Sequence, residues 1–168
     1  MYDFMFNYFI ASKEDLPQIV AIYNQSIFTR QSTADLVPIT VESKKEWFAA
    51  HDPNKRPLWI IKESEATIGW ISLSDFYGRP AYDQTVEISI YVDRAHQNRG
   101  IGQLALHFAE QQLAQLKIET VLAFIFDVNQ ASQRLFRKNG YEKWGHLPNV
   151  ANIDGSLVGL DILGKRYE

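Results

Sequence analysis

The residues best suited to chemistry lie at positions 97–102, Gln-Asn-Arg-Gly-Ile-Gly, between an alternating apolar segment and an amphipathic one. From Gly100 onward apolar residues recur at helical spacing, which places Gly100 and Gly102 in the first turn of a helix. First-turn N–H groups have no intrahelical partners and the helix dipole is positive there, so glycines let a phosphate approach the backbone. Arg99 adds a positive charge. The segment therefore predicts an anion-binding helix start.

Residues 100–105 also fit the dinucleotide-binding pattern G-x-G-x-x-A. In that pattern the glycines follow the strand directly, whereas seven residues, 93–99, intervene here. A nucleotide-dependent oxidoreductase is therefore an alternative that rests on the glycine spacing alone. The two glycines could also serve only the close packing of an ordinary helix, although glycine inside a helix costs about 1 kcal/mol relative to alanine.

The composition predicts one globular domain spanning residues 1–168, because 46% of the chain is hydrophobic. The 17 Lys and Arg residues are scattered and the formal net charge is −3, so no nucleic-acid partner is expected. The chain has no cysteine and its four histidines lack metal-ligand spacing, which argues against a metal site. The longest apolar run, residues 121–126, cannot cross a bilayer and the N-terminus lacks a signal pattern, so we expect no membrane contact and a cytoplasmic protein.

The periodicity of apolar residues predicts seven strands and four helices that position this segment. Strands are expected at residues 6–11, 58–62, 67–73, 86–92, 119–127, 141–144 and 157–163. Helices are expected from 12 to about 27, at 40–50, from 100 onward and at 130–138, with Ser12, Thr40 and Asn129 as caps. Expected irregular segments are loops at 28–38, 75–84 and 93–99, a bulge at Gly69 and a turn at 149–155.

Residues 97–102 follow a strand and match in full the Gln/Arg-x-x-Gly-x-Gly/Ala pyrophosphate motif, and so resemble the GNAT N-acetyltransferases. Further segments resemble the phosphinothricin acetyltransferase branch: 21–24 (AIYN), 47–50 (WFAA), 85–92 (TVEISIYV), 129–135 (NQASQRL) and 140–141 (GY). The resemblance covers nearly the whole chain. It implies the GNAT fold, an α/β (α+β) class with a central mixed, mostly antiparallel sheet of about seven strands flanked by four helices.

The resemblance also implies an activity. Acetyl-CoA would be the donor, no metal would take part, and the acetyl group would pass directly to the amine of a small amino-acid-like acceptor of the phosphinothricin or methionine sulfoximine type. Many members of the branch are dimers, so a homodimer is expected, as is a role in herbicide or toxin resistance.

Site roles follow from the same resemblance. Glu87 is the expected general base, because an ammonium must lose a proton before attacking a thioester and a carboxylate in the central strand can take it through water. Expected cofactor contacts are Tyr91, Val92, Asp93, Gln97, Arg99, Gly100, Ile101, Gly102, Gln103, Leu104 and Asn129. Expected acceptor contacts are Phe28, Phe76, Tyr77, Gly78, Arg79, Tyr82, Thr85 and Val86. Arg79 would pair with the acceptor's carboxylate or phosphinate, as guanidinium groups do.

Simpler interpretations stay open for several of these residues: an exposed charge for Glu87, a plain helix cap for Asn129, core packing for the aromatic residues. The sequence also departs from the branch at Phe136, where members carry a tyrosine or histidine that protonates the leaving thiolate. The stretch 151–163 lacks the aromatic and basic residues common in the branch. An acetyl-CoA-binding sensor or regulatory protein without turnover is therefore the second hypothesis.

Overall fold

A single seven-stranded sheet organises the computed structural model, which describes residues 6–168. Its strands are β1 (Asn7–Ile10), β2 (Leu58–Glu63), β3 (Ala66–Asp75), β4 (Thr85–Val92), β5 (Thr120–Phe126), β6 (Glu142–Ile153) and β7 (Ser156–Arg166). Its helices are α1 (Leu16–Ile27), α2 (Lys45–Ala49), α3 (Ile101–Gln112) and α4 (Gln130–Lys138). The strand order is β1-β2-β3-β4-β5-β7-β6, and β4–β5 is the parallel pair among antiparallel neighbours. The predicted fold class is confirmed.

Short polar contacts start the first two helices, as their cap residues predicted. The Ser12 backbone N–H donates to the Asp15 carboxylate at 2.7 Å, and a 3-10 turn leads from there into α1. Thr40 Oγ1 accepts from the Ser43 N–H at 3.2 Å, and a second 3-10 turn leads into α2. The helix α2 is shorter than predicted, because part of the expected segment forms this tighter turn.

The two faces of β4 serve different purposes. Val86 and Ile88 point into the larger core, which the sheet forms with α3 and α4. Glu87 and Tyr91 point to the opposite face, where α1 and α2 cover a smaller core around Trp70. The indole N–H of Trp70 donates to the Ile19 carbonyl of α1 at 3.1 Å, which fixes that helix against the sheet. Period-2 alternation in one strand thus separates core residues from residues available to a site.

The bulge predicted at Gly69 is present. Ile61 faces Gly69, but the next residue of β2 faces Thr67, so β3 contains one extra residue, Ile68. A Cβ at position 69 would lie 2.7 Å from the Tyr91 carbonyl oxygen, so only glycine allows β3 and β4 to approach this closely.

The turn predicted at 149–155 is wrong, because β6 continues to Ile153 and only Asp154 and Gly155 form the turn. The asparagines, aspartate and glycine of this segment indicated a turn, yet β6 is an edge strand, and an edge strand tolerates such residues. Asn149 has a left-handed φ of 54° where the register shifts between Leu147 and Ala151.

No helix within residues 6–168 is both long and apolar enough to span a bilayer.

Candidate active site

A cleft opens where the parallel strands β4 and β5 separate. They pair at Thr85–Thr120, Val86–Val121 and Glu87–Leu122, and no further. Beyond this point residues 88–92 of β4 and 123–126 of β5 line a cleft of about 660 Å³. The β4 backbone groups on this side have no strand partner and are free to bond a ligand that lies between the strands.

The loop after β4 ends at the start of α3, beside this cleft. Gly100 is the N-cap, with a left-handed φ of 76° that favours glycine, and a Cβ there would meet no atom within 4 Å. The first intrahelical bond runs from the Leu104 N–H to the Gly100 carbonyl at 3.1 Å, so the preceding first-turn N–H groups stay available. A Cβ at Gly102 would lie 3.3 Å from Leu135 Cδ2, so this glycine also allows α3 and α4 to pack closely. Gly100, Ile101 and Gly102 all line the cleft.

Other predicted cofactor residues take different positions. Arg99 pairs with Glu63 through two bonds of 3.0 and 2.7 Å and does not line the cleft. The Gln103 amide exchanges two hydrogen bonds with Asn139, at 2.7 and 2.8 Å, and Leu104 packs against the core. Asp93 Oδ1 accepts from the Ala95 N–H at 2.9 Å and so shapes the loop.

Gln97 and Asn129 line the cleft, together with Tyr91 and Val92 of β4. Gln97 Nε2 lies 3.4 Å from the Val92 carbonyl oxygen. Asn129 Oδ1 accepts from the Ser132 N–H at 3.2 Å, so this residue caps α4 and faces the cleft at once. Lining residues that the sequence analysis did not assign to the site include Arg94, His96 and Ser132.

Glu87 lines a separate cavity of about 200 Å³ on the α1 side of the sheet. Its partner across the strand pair is Ser74, and the next pair on the same face is Ser89 with Ser72. All four side chains line the cavity. Three hydroxyl groups and one carboxylate therefore line the same cavity.

Aromatic residues form the walls of this cavity. Tyr91 stacks on Trp70 with ring centroids 4.7 Å apart, and Trp47 meets Trp70 edge-on at 5.5 Å. Tyr23 contacts Tyr91 edge-on at 5.2 Å, and its hydroxyl bonds to Asp35 and Thr33. Burial and the hydrogen bond to Asp35 raise the pKa of Tyr23 to about 12, so this phenol stays neutral. These bonds hold Thr33 and Asp35 of the loop after α1 next to a wall of the cavity.

The Glu87 carboxylate is half-buried and has no ion-pair or hydrogen-bond partner among the described residues. Burial raises its pKa above the ordinary value, and burial is the single cause of the shift. A carboxylate in this state holds a proton more readily than an exposed one. The cavity and the cleft share Ser89 and Tyr91 in their linings, so Glu87 lies two residues along the strand from the point where they meet.

The predicted acceptor loop, residues 75–84, lies outside this cavity. Phe76, Tyr77 and Tyr82 cluster together, with centroids 4.5 Å apart for the first two and 5.3 Å for Phe76 and Tyr82. Tyr77 and Gly78 both have left-handed φ angles, 60° and 63°. The buried Arg56 anchors the loop, donating to Asp75 at 2.5 Å and to the Asp83 carbonyl at 2.8 Å.

The remaining predicted acceptor residues are also apart from the cavity. Arg79 is exposed, Thr85 is the first residue of β4, and the Val86 side chain is fully buried in the larger core. Phe28 is 69% exposed and lines the cleft instead. Phe136 also lines the cleft and meets Tyr141 edge-on at 4.9 Å.

The cavity residues that the sequence analysis did not assign to the site include Lys44, Trp47, Trp70, Ser72 and Ser74. Trp70, Ser72 and Ser74 alternate along β3, so their period-2 spacing was a signal that could have found them. Lys44 and Trp47 come from a different part of the chain, and only the fold brings them to β3.

Among residues 6–168, no group of three or more histidines and carboxylates is arranged to hold a metal ion.

The site consists of a cleft between parting strands, an open helix start and a carboxylate cavity that meets the cleft. The sequence model of the acetyltransferase (GNAT) family matches residues 18–141. The chain belongs to the GNAT acetyltransferase family. This membership overturns the oxidoreductase alternative, which rested on glycine spacing within the matched range. As a GNAT acetyltransferase, the protein is an N-acetyltransferase.

Two relatives are similar to this chain over nearly its whole length. A Bacillus subtilis protein with the provisional name phosphinothricin acetyltransferase YwnH is 42% identical, over 93% of this chain and 96% of its own length. The L-methionine sulfoximine/L-methionine sulfone acetyltransferase of Pseudomonas aeruginosa is 28% identical, over 91% of this chain and 90% of its own. The chain thus spans nearly the whole of both relatives.

Two solved structures have the same fold. A crystal structure provisionally described as a phosphinothricin N-acetyltransferase is 41% identical, with a TM-score of 0.94, over 97% of this chain and 99% of that one. A phosphinothricin acetyltransferase from Sinorhizobium meliloti, solved with acetyl-CoA, superposes with a TM-score of 0.89 at 24% identity. It covers 97% of this chain and 89% of that one.

Proposed function

We propose that the protein transfers the acetyl group of acetyl-CoA directly to the amine of a small amino-acid-like acceptor of the phosphinothricin or methionine sulfoximine type. One observation carries the proposal: an unpartnered carboxylate, Glu87, lies in a cavity that meets the cofactor cleft at Ser89 and Tyr91. The acceptors named for the relatives from B. subtilis and P. aeruginosa support the acceptor class. Residues 1–168 form one acetyltransferase domain in this proposal.

Acetyl-CoA is the donor, and the described residues suit it. The unpaired edge of β4 at Tyr91 and Val92 would bond the pantetheine arm, and Asn129 would contact it from the other side of the cleft. The first-turn N–H groups at Gly100, Ile101 and Gly102 would bind the pyrophosphate, since they are open and lie at the positive end of a helix. Once bound, acetyl-CoA supplies an acetyl group activated as a thioester.

Two groups of predicted cofactor residues act indirectly in this proposal. Asp93 and Gln97 shape the loop, and Gln103 and Leu104 fix the first turns of α3. Arg99, paired with Glu63, contributes its charge from the rim rather than from the lining. The resemblance suggested contacts for all of them.

Glu87 is the general base in this proposal. The acceptor arrives as an ammonium ion, which must lose a proton before its nitrogen can attack, and the raised pKa of Glu87 brings the carboxylate closer to that task. Ser72, Ser74 and Ser89 would hold a water molecule through which the proton passes. The loop residues Phe76, Tyr77, Gly78, Arg79 and Tyr82, with Phe28 and Thr85, are proposed as outer contacts of the acceptor. Val86 would contribute only through its backbone, because its side chain is buried in the larger core.

The release of free coenzyme A thiol tests the activity. Purified protein with acetyl-CoA should release thiol when phosphinothricin or L-methionine sulfoximine is added, and mass spectrometry should find the N-acetyl product. Phe136 offers no proton to the leaving thiolate, so water supplies it. Tight binding of acetyl-CoA without thiol release for any amine would support the sensor hypothesis instead.

Three broader proposals follow from the family resemblance: a homodimer, a cytoplasmic location and a role in resistance to amino-acid-like toxins. Analytical ultracentrifugation tests the first. Growth of a deletion strain with phosphinothricin or methionine sulfoximine tests the last, since loss of the gene should increase sensitivity.

A further inference from the structure

We propose that Lys44 binds the carboxylate of the acceptor, so that the cavity selects zwitterionic α-amino acids over simple amines. This inference rests on the proposed function, because it names how the same cavity chooses its acceptor. Lys44 and Glu87 both line the cavity, one positive and one negative. An α-amino acid presents the opposite charges, an ammonium for Glu87 and a carboxylate for Lys44.

Lys44 has the features of a ligand-binding cation. It is half-buried, and within residues 6–168 no carboxylate pairs with it. Its ammonium lies 5.5 Å from the ring centroid of Tyr23 and 5.4 Å from that of Trp47, so two cavity walls hold it in place. The adjacent Lys45 differs in each respect: its side chain is 61% exposed and it pairs with Glu42 at 2.5 Å.

The two charges of the cavity do not neutralise each other. No ion pair joins Lys44 to Glu87, and the raised pKa of Glu87 has burial as its single cause, with no contribution from a nearby cation. Each charge is therefore available to a ligand placed between them. Two unpaired opposite charges in one half-buried cavity are costly without such a ligand, since a desolvated ion needs a partner.

The backbone that carries Lys44 is anchored. The Asn24 amide of α1 bonds Ile39 twice, accepting from its N–H at 2.9 Å and donating to its carbonyl at 3.0 Å. Thr40 then starts the 3-10 turn that ends at Lys44. Ile39 and Lys44 both line the cavity, so α1 fixes one wall and the cation together. Such a preorganised charge binds with less loss of side-chain entropy than a mobile one.

Arg79 is the alternative cation. The sequence favoured it for the carboxylate, but it is exposed and does not line the cavity that holds Glu87. Lys44 ends the 3-10 turn that leads into α2, whereas Arg79 lies in the loop before β4. A comparison of their variants therefore separates an inner contact from an outer one.

The test compares an acceptor that has the carboxylate with one that lacks it: L-methionine sulfone and 3-(methylsulfonyl)propylamine. Loss of a charged hydrogen bond should raise KM for the amino acid by about 10- to 100-fold in Lys44→Gln, with less than about a twofold change for the amine. KM for acetyl-CoA should not change. Lys45→Gln is the matched control and should behave as wild type.

Calorimetry provides a readout that does not need turnover. L-methionine sulfone should bind to wild type and to Lys44→Arg, which keeps the charge, and much more weakly to Lys44→Gln. Equal losses for both acceptors, or a carboxylate-selective loss in Arg79→Ala but not in Lys44→Gln, would overturn the assignment. If the wild type releases no thiol with any amine, the proposed function fails, and these binding measurements still decide the role of Lys44.

Discussion

Glu87 in β4 and Asp161 in β7 are acidic residues of the same sheet with opposite surroundings. Asp161 is 3% exposed and meets three partners: His146 Nδ1 at 2.7 Å, Gln133 Nε2 at 3.0 Å and Lys143 Nζ at 3.7 Å. Glu87 is only half-buried by solvent exposure and has none among the described residues. One carboxylate joins α4 to the last hairpin, while the other faces a cavity.

For this reason the pKa values of the two carboxyl groups shift in opposite directions from their ordinary values. Burial alone would raise both. At Asp161 the hydrogen bonds from His146 and Gln133 and the charge of Lys143 outweigh burial and lower the pKa, whereas at Glu87 burial acts without opposition and raises it. A carboxylate with every oxygen satisfied stabilises a fold. One left without partners in a cavity is available to accept a proton from a ligand.

The largest expected effect is on turnover. Glu87→Gln keeps the shape of the side chain but removes its ability to accept a proton, so kcat at neutral pH should fall by about 10²–10⁴. Affinity for acetyl-CoA, measured by calorimetry, should stay close to wild type because Glu87 does not line the cofactor cleft. Exposed Glu65→Gln is the control and should retain full turnover.

The second effect is on stability. Asp161→Asn turns an amide N–H group toward buried donors, so the free energy of unfolding in urea at pH 7 should fall by about 1–3 kcal/mol. The folded-state pKa of Asp161 lies below its unfolded value, so its stabilisation is present at neutral pH and is lost as pH falls through the folded pKa. The difference between variant and wild type should therefore shrink as pH falls below the ordinary pKa of an aspartate.

A matched control accompanies that substitution. Asp154 is exposed and pairs with Arg30 at 3.0 Å, and an exposed pair contributes little. Asp154→Asn should change the free energy of unfolding by less than about 1 kcal/mol. If Asp154→Asn costs as much as Asp161→Asn, burial and hydrogen bonding do not distinguish the two acids.

The smallest effect concerns the stability of the Glu87 variant. The folded-state pKa of Glu87 lies above its ordinary value of 4.5, so the folded state disfavours the charged carboxylate. Ionisation of Glu87 therefore lowers the free energy of unfolding as pH rises from the ordinary pKa through the folded-state pKa. Glu87→Gln should therefore melt about 1–3 °C above wild type at pH 7. The gain should vanish at low pH, where the wild-type carboxyl is neutral in both states. A lower melting temperature at pH 7 would indicate a structural role.

Local chemistry explains which features the sequence predicts. The helix caps at Ser12, Thr40 and Asn129, the glycine turn into α3 and the bulge at Gly69 each depend on residues close along the chain or on one special residue, and each was predicted. Glu87 and the cofactor motif came from family resemblance added to this local pattern.

Contacts between distant residues explain what the sequence leaves out. Arg99 meets Glu63 from 36 positions away, and Gln133 meets Asp161 from 28. The cavity combines Lys44 with residues of β3 and β4 that periodicity cannot join to it. The turn at 149–155 failed for a related reason, since its residues suit either a loop or an edge strand and only the position of β6 in the sheet decides.

The central claim, that Glu87 accepts the proton of the acceptor amine, is tested most directly by measuring kcat for wild type and Glu87→Gln from about pH 6 to about pH 10. At high pH more of the acceptor is already neutral and needs no base. The ratio of wild-type to variant kcat should therefore be largest near neutral pH and shrink as pH rises. A ratio that is constant across this range, or a variant with wild-type kcat at neutral pH, would contradict the assignment.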